Sequence, residues 1–154
     1  MLEVKPLDWF DCAALSPVLR EADLMDLKVK EMDPLEVLEA GLDGGPAWAV
    51  YRSGFILGAG GFTWEGAVWS MWRDLRPLEA REVMRMTPKW ARWVREVAGP
   101  DKWLWNVYLQ GNRQTEAFLR ASHCVNIDKE HPIEHDGRVF IPFHLKSAEE
   151  LSRV

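Results

Sequence analysis

KWLWNVYLQGNRQTEAFLRAS, residues 102–122, is the stretch that decides the fold. Residues 102–109 are almost all apolar, which predicts a central strand covered on both faces. Gly111 interrupts the apolar run and Asn112 is a good N-cap, so a helix is predicted over 113–121. A strand that leads directly into a helix packing back on the sheet is typical of α/β proteins.

The N-terminal third predicts one strand and two helices. Residues 2–7 alternate weakly and predict the first strand. Residues 9–21 predict a helix that is kinked or broken at Pro17, because proline cannot complete the helical hydrogen bonds. A second helix is predicted over 33–44, since its Asp-Pro start supplies an N-cap and a first-turn proline and a Gly-Gly pair ends it.

Three strands follow these helices and are predicted over residues 47–52, 55–64 and 67–73. Ser53 and Gly54 form a two-residue hairpin turn of favourable type between the first two. Gly58, Gly60 and Gly61 lie inside the middle strand, which favours a β-bulge or a close backbone approach. A phosphate-binding loop is the alternative, but it would need these glycines between a strand and a helix.

The remaining residues complete the predicted order. Residues 77–97 predict a long helical region in two pieces, restarting at Pro88. Residues 124–127 and 139–145 predict a closing antiparallel pair, and residues 146–154 a short helix or a frayed end. The predicted order is β-α-α-β-β-β-α-β-α-β-β, a mixed α/β sheet with helices on both faces. Residues 1–146 are predicted to form a single domain, with 147–154 as a C-terminal tail.

The composition is that of an ordinary globular domain, with 47% hydrophobic and 28% charged residues. Nine tryptophans against two tyrosines is unusual and predicts a bulky core, an aromatic contact surface, or both. The net charge of -5 argues against nucleic acid as the main partner, because phosphate binding needs a basic face. No signal peptide is predicted, and no apolar run approaches the roughly 18 residues of a membrane span.

Cysteine and histidine do not suggest a metal centre. Cys12 and Cys124 lie far apart in the sequence, and two buried reduced thiols are predicted rather than a disulfide. Of the four histidines, His131 and His135 flank Pro132, which argues against the helical i, i+4 spacing of a zinc motif. A surface loop is predicted there instead, and no metal ligands are predicted anywhere in the chain.

The predicted order, with a helix starting at Asn112 after a central strand, resembles the GCN5-related N-acetyltransferase (GNAT) fold. Asn112, Thr115 and Phe118 follow the early part of that family's N-x-x-A-x-x-F/L-Y helix pattern. The resemblance implies a pyrophosphate site for acetyl-CoA, made of backbone N–H groups after the preceding strand and at a helix N-terminus. It also implies cofactor-binding positions at Trp72, Arg73, Arg76 and Asn112.

This chain departs from the family at several of the matching positions. The family's R/Q-x-x-G-x-G/A phosphate loop falls on WRDLRPLEAR, residues 72–81, which has no glycine. Pro77 removes one N–H donor there, and Asp74 and Glu79 add negative charge. The tyrosine that often protonates the leaving thiolate falls on Leu119, and the Gly-Phe pair on residues 123–124.

A narrower resemblance covers pieces spread along the chain, among them LREADLMDL, AWAVYRSGFILGAGGF and VYLQGNRQTEAFLRASHCV. These pieces are similar to GNAT-like phage proteins, the internal virion protein A family of T7-like podoviruses. The resemblance implies a non-catalytic role in virion structure or assembly, with no cofactor. The partners would be other virion proteins or a second copy, and the location the virion or the cytoplasm of the infected bacterial host.

Two other functions remain open. The alternative is an acetyl-CoA-dependent N-acyltransferase with a degenerate cofactor loop, for which Glu21 and Asp23 are the candidate catalytic carboxylates. A solvated helix end is the competing interpretation of those two residues. The other possibility is a binding module directed at a host protein. Acetyl-CoA binding distinguishes the enzyme from both, because a ligand that binds the folded state raises its stability.

Overall fold

Eight strands and six α-helices follow one another in the computed structural model, which describes residues 1–154. The first half contains β1 (Leu2–Pro6), α1 (Trp9–Leu15), a 3₁₀ turn (Ser16–Val18), α2 (Glu21–Val29), α3 (Pro34–Gly44), β2 (Ala47–Arg52), β3 (Phe55–Phe62) and β4 (Val68–Trp72). The second half contains α4 (Pro77–Ala98), β5 (Trp105–Leu109), α5 (Arg113–Ser122), β6 (Val125–Ile127), β7 (Ile133–His135), β8 (Arg138–Leu145) and α6 (Ala148–Leu151). The chain forms two units, residues 1–65 with 69–83 and residues 66–68 with 84–154.

The first unit contains a sheet with the strand order β1-β2-β3-β4. β2 pairs antiparallel with both β1 and β3, and the β2–β3 register shifts between Val50 and Tyr51. Helices α1 and α3 pack against β3 and against each other. The core of this unit consists of buried apolar side chains from the helices and strands, chiefly Cys12, Leu15, Leu27, Leu38, Ala49 and Ala59.

The glycines of β3 allow its neighbours to approach closely, as predicted. A Cβ on Gly58 would lie 2.2 Å from the ring of Trp72, and one on Gly61 would lie 2.3 Å from the carbonyl oxygen of Pro46. No side chain larger than hydrogen fits at such distances without displacing atoms. Val50 pairs with Gly58 and Tyr51 with Ile56, so the register skips Leu57 of β3, and both predicted features, the bulge and the close approach, occur together.

The second unit is built on a sheet with the order β5-β8-β6, in which β7 also pairs with β8. Pairing between β6 and β8 is antiparallel, which confirms the predicted closing pair. Asn112 caps α5 by accepting a hydrogen bond from the Thr115 N–H at 3.4 Å, as predicted. The short segment 66–68 also belongs to this unit. The Trp105 N–H donates to the Gly66 carbonyl at 2.9 Å, and the Asn106 side-chain amide donates to the Val68 carbonyl at 2.9 Å.

Arg95, on α4, is the main polar anchor of the second unit. Its side chain is almost completely buried and donates to four backbone carbonyls, those of Gly99, Lys102, Leu145 and Lys146. The N···O distances range from 2.6 to 3.4 Å. One guanidinium therefore ties the end of α4, the approach to β5 and the end of β8 together.

The predicted α/β class and the relative order of the predicted elements are confirmed, with corrections inside that order. The predicted break at Pro17 is confirmed, because α1 ends at Leu15 and a 3₁₀ turn follows, whereas helix α2 at Glu21–Val29 was not predicted. Its apolar residues Leu24, Met25 and Leu27 do not share one stripe, so periodicity gave no signal. The structure also adds the short strand β7, which turns part of the predicted histidine loop into an exposed hairpin.

Helix α4 is continuous through Pro88, so the predicted division into two pieces is wrong. Tertiary packing compensates for the single helical hydrogen bond that proline removes. The expectation of a strand covered on both faces over 102–109 is also wrong. β5 begins only at Trp105, and Trp103 and Trp105 are 62% and 40% exposed. The apolar run therefore supplies surface tryptophans as well as core residues.

Both cysteines are free and buried, as predicted. None of the helices has the combination of length and apolar character that crossing a membrane requires. The last residues form α6, the helical alternative of the two predicted for the tail. The predicted boundary between residues 146 and 147 stays a prediction.

Candidate functional site

An arginine-lined cleft of about 460 Å³ lies in the first unit at the start of α4. Its walls are Arg52, Ser53, Arg76, Pro77, Leu78 and Arg81. The β2–β3 hairpin supplies the first two of these residues, because its turn follows directly after Arg52. Arg76 immediately precedes α4, and the first turns of the helix supply the other three. Three guanidinium groups around one cleft make it suited to an anionic ligand with several oxygens.

Glu79, in the first turn of α4, turns back and accepts hydrogen bonds from the residue before the helix. The Arg76 N–H donates to Glu79 Oε1 at 2.9 Å, and the Arg76 guanidinium donates to Glu79 Oε2 at 2.9 Å. The Glu79 side chain is only 8% exposed, whereas that of Arg76 is 76% exposed. The hydrogen bond from the Arg76 side chain is the main cause that lowers the pKa of Glu79 to about 2. Glu79 is therefore a carboxylate throughout the physiological range.

The other two arginines of the cleft have looser contacts. Arg52 lies 3.4 Å from Glu82 Oε1, and both side chains are about one-fifth exposed. The Arg81 Nε reaches the Pro77 carbonyl at 3.5 Å, the outer limit of a hydrogen bond. With Glu79 and Glu82 counted against the three arginines, the local balance is one net positive charge.

Trp72 and Arg73, two of the predicted cofactor positions, lie at the end of β4 in the same unit. The Arg73 N–H donates to Leu57 on β3 at 2.9 Å. The N–H and C=O of Trp72 therefore point to the opposite edge of β4, because successive residues of a strand alternate. On that edge the Trp72 N–H donates to Asp23 at 2.8 Å, and the Trp72 carbonyl accepts from the Arg20 N–H at 2.8 Å. The chain itself thus satisfies both groups.

The two candidate carboxylates occupy different surroundings. Glu21 is exposed on the first turn of α2, which fits a solvated helix end. The Asp23 side chain is only 10% exposed and pairs with Arg20, with 3.0 Å between Asp23 Oδ2 and Arg20 Nε. Burial raises the pKa of Asp23, and Arg20 and the Trp72 N–H oppose that rise. Because its oxygens accept these bonds, Asp23 fixes α2 to β4 and is not placed as a free general base.

Asn112, the remaining predicted cofactor position, lies in the second unit beside a cleft of about 250 Å³. Glu116 lies on the wall of this cleft, where it accepts from the Tyr108 hydroxyl at 2.6 Å and pairs with Lys129 at 2.8 Å. The hydrogen bond from Lys129 is the first cause that lowers the pKa of Glu116 to about 2. Asn112 itself is buried, and its side chain caps α5.

Sequence reasoning found Arg76 but missed Arg52 and Arg81 as members of the same cleft. Arg52 comes from a hairpin 24 residues before Arg76 in the chain, so only the strand pairing brings it near. Five positions separate Arg81 from Arg76, roughly 140° around a helix, so helical spacing does not predict that these two residues share one cleft. The sequence predicted only that Glu79 adds negative charge at this position. It did not predict that the side chain is buried against the Arg76 N–H.

Acid should remove the contribution of Glu79 to stability. Because its folded-state pKa is lowered from 4.5 to about 2, this contribution is present above pH 4.5 and is lost as the pH falls toward 2. We expect about 1–2 kcal/mol, since the exposed Arg76 partner is screened by solvent. Urea unfolding of the wild type and Glu79→Gln at pH 7 and pH 3 measures it. Two stability curves that run parallel across this range would contradict the assignment.

Comparison with known proteins gives the fold a family context. Neither a family model nor a curated protein matches the chain. Among solved structures, AAC(6')-Ib with ribostamycin and coenzyme A has a TM-score of 0.66 at 8% identity, covering 99% of this chain and 97% of that one. The Salmonella typhimurium protein yncA, solved with its cofactor acetyl-CoA, has a TM-score of 0.60 at 13% identity, covering 96% and 94%. The Escherichia coli ribosomal-protein-S18-alanine N-acetyltransferase has a TM-score of 0.61 at 12% identity, covering 94% and 93%.

These similarities extend over nearly the whole chain and establish the GNAT fold, which confirms the broader of the two resemblances. Sequence identities this low show a shared fold and not a shared activity. The narrower resemblance, to the phage virion proteins, stays a prediction, since the similar structures are acetyltransferases.

Proposed function

We propose that this chain is an acyl-CoA-dependent N-acyltransferase that holds the phosphates of its cofactor in the arginine cleft at the start of α4. The observation that carries the proposal is the convergence of Arg52, Arg76 and Arg81 on that cleft. Two of the similar structures contain coenzyme A or acetyl-CoA, which supports the choice of ligand. Arginine side chains would do here what glycine-loop N–H groups do in the fold family.

The residues present suit phosphate oxygens. Guanidinium groups bind phosphate through paired N–H donors, and the exposed Arg76 can turn toward a ligand. Leu78 is 51% exposed on the rim and offers apolar contact to a flat base. No carboxylate, histidine or tyrosine lines the cleft, so its walls offer no general acid or base for the transfer step. The proposal therefore assigns this cleft to anchoring and not to the chemical step.

The bound thioester would supply an activated acyl group, whose carbonyl carbon an acceptor amine attacks with release of the thiol. The amine must lose one proton and the thiolate must gain one. Asp23 is committed to Arg20 and Trp72, and Leu119 stands where the family has a tyrosine acid. We therefore assign both proton transfers to water, and we expect a modest turnover rate.

Binding of acetyl-CoA tests the proposal by calorimetry and thermal shift. At 100 times the dissociation constant, a ligand specific for the folded state stabilises it by about 2.7 kcal/mol. Arg81→Ala should weaken binding by about tenfold, because it removes one phosphate partner and breaks only a marginal contact with Pro77. Release of free thiol with a panel of amines would then measure turnover.

Arg85→Ala is the matched control, since Arg85 is an exposed arginine one turn further along the same helix and does not line the cleft. Its affinity should equal that of the wild type. An equal loss of affinity in Arg81→Ala and Arg85→Ala would show that the effect comes from the overall positive charge of the helix and not from the cleft. Absence of any heat or stabilisation with acetyl-CoA would remove the enzymatic proposal.

A second candidate is a non-catalytic protein that acts through protein–protein contacts, with other virion proteins or a second copy as partners. The observation that favours it is the way Asp23 and Glu79 satisfy backbone N–H groups at both ends of the β4–α4 connection. Exposed aromatic side chains, Phe10 at 76% and Phe55 at 68%, could anchor such contacts. This candidate predicts no acetyl-CoA binding and, from the narrower resemblance, a location in the virion or the infected host cell.

A further inference from the structure

Two helices of the first unit begin with the same three residues after the N-cap. Asp33 precedes Pro34-Leu35-Glu36 in α3, and Arg76 precedes Pro77-Leu78-Glu79 in α4. In α3 the Asp33 side chain accepts from the Glu36 N–H at 3.1 Å, and Glu36 is exposed. The glutamate of this motif is therefore left in solvent when the N-cap residue is itself an acceptor.

In α4 the N-cap is an arginine, which has no acceptor to offer. Glu79 turns back instead, is buried, and accepts from both the N–H and the guanidinium of Arg76. The same tripeptide thus places its carboxylate in opposite surroundings in the two helices. Only the buried one lies beside the arginine cleft, where Arg76 also forms part of the wall.

We propose that Glu79 is a built-in competitor of the cleft's anionic ligand, because it occupies the guanidinium of Arg76 and adds a fixed negative charge at the cleft. This inference deepens the proposed function. It rests on that function where the ligand is coenzyme A. A phosphate ligand must either share Arg76 with Glu79 or displace the pair. Glu79 therefore sets the affinity of the cleft below what its three arginines would otherwise give.

Charge and geometry both support this role. Arg76 is 76% exposed, so its guanidinium is free to reorient, whereas the buried Glu79 is not. A negative charge within a few ångströms of a bound phosphate near the protein surface repels the ligand and weakens its binding. Neutralising it should tighten binding by about tenfold.

Glu79→Gln is the decisive variant, because the glutamine oxygen can still accept from the Arg76 N–H while the charge is gone. Affinities for inorganic pyrophosphate and for coenzyme A are measured by calorimetry at one ionic strength. Both should rise about tenfold over the wild type. Glu36→Gln is the matched control, with the same change in the same motif of α3, and it should leave both affinities unchanged.

The outcomes separate this inference from the proposed function. Tighter pyrophosphate binding by Glu79→Gln, without any coenzyme A binding by either protein, supports the competitor and removes the proposed function. Coenzyme A binding that is equal or weaker in Glu79→Gln overturns the competitor and leaves the proposed function standing. Equal gains in Glu79→Gln and Glu36→Gln also overturn it. Should Glu79→Gln fail to fold, Glu79→Ala applies the same charge change and the same criteria.

Discussion

Replacing Arg95 with methionine is expected to lower the free energy of unfolding by about 3–5 kcal/mol. Methionine is about as long as the aliphatic stem of arginine and keeps the apolar contacts of that stem. It cannot donate, so the carbonyls of Gly99, Lys102, Leu145 and Lys146 each lose the bond that Arg95 supplies. A buried acceptor without a partner costs about 1–3 kcal/mol, and partial hydration of these carbonyls limits the sum.

Urea unfolding measures the change, and Arg92→Met provides the control. Arg92 is exposed on the same helix, one turn before Arg95, and its replacement should change stability by less than about 0.5 kcal/mol. Arg95→Lys should fall between the two, because an ammonium has fewer donors and a different geometry. A loss for Arg95→Met as small as that for Arg92→Met would show that solvent satisfies the four carbonyls.

Replacing Gly61 with alanine is expected to destabilise the first unit by about 2–3 kcal/mol, near the upper end of overpacking effects. The new Cβ would lie 2.3 Å from the Pro46 carbonyl oxygen and 2.8 Å from the Ala47 Cα. Both are backbone atoms, so relief requires a shift between β2 and β3 and not a change of rotamer.

Gly60→Ala is the matched comparison, one residue earlier in the same strand. Its nearest contact would be 3.1 Å from the Trp69 carbonyl oxygen, which a displacement of a few tenths of an ångström relieves. We expect a loss of about 1 kcal/mol or less for this variant. Thermal or urea unfolding of both variants decides the matter. Equal effects at the two positions would show that the strand spacing adjusts freely.

Local chemistry made part of this fold predictable. The Ser53-Gly54 turn has both residues at positive φ, as the hairpin signal implied, and Asn112 and Asp33 cap their helices as their residue types suggest. These features depend on neighbours within a few positions. The predicted order of helices and strands followed from the positions of these turn and capping residues along the chain.

Long-range packing decided what could not be predicted. Pro88 and its preceding threonine carry a helix-start signal, yet α4 continues through them because packing outweighs one lost hydrogen bond. Of the candidate site, Arg76 was predicted from the resemblance, but its cleft partners depend on strand pairing. The different orientations of Glu36 and Glu79 have a local cause instead, because the residue before the shared tripeptide is the acceptor Asp33 in α3 and the donor Arg76 in α4.

The contacts of Trp72 also bear on intermolecular strand pairing at the edges of the first sheet. The first sheet ends at β1 and β4, and unpaired strand edges can recruit strands from other molecules into aggregates. At the end of β4, Asp23 and Arg20 already occupy the outward N–H and C=O of Trp72. At β1, Pro6 has no N–H to offer and Lys5 adds charge. Each border of the sheet therefore carries its own obstacle to intermolecular β-pairing.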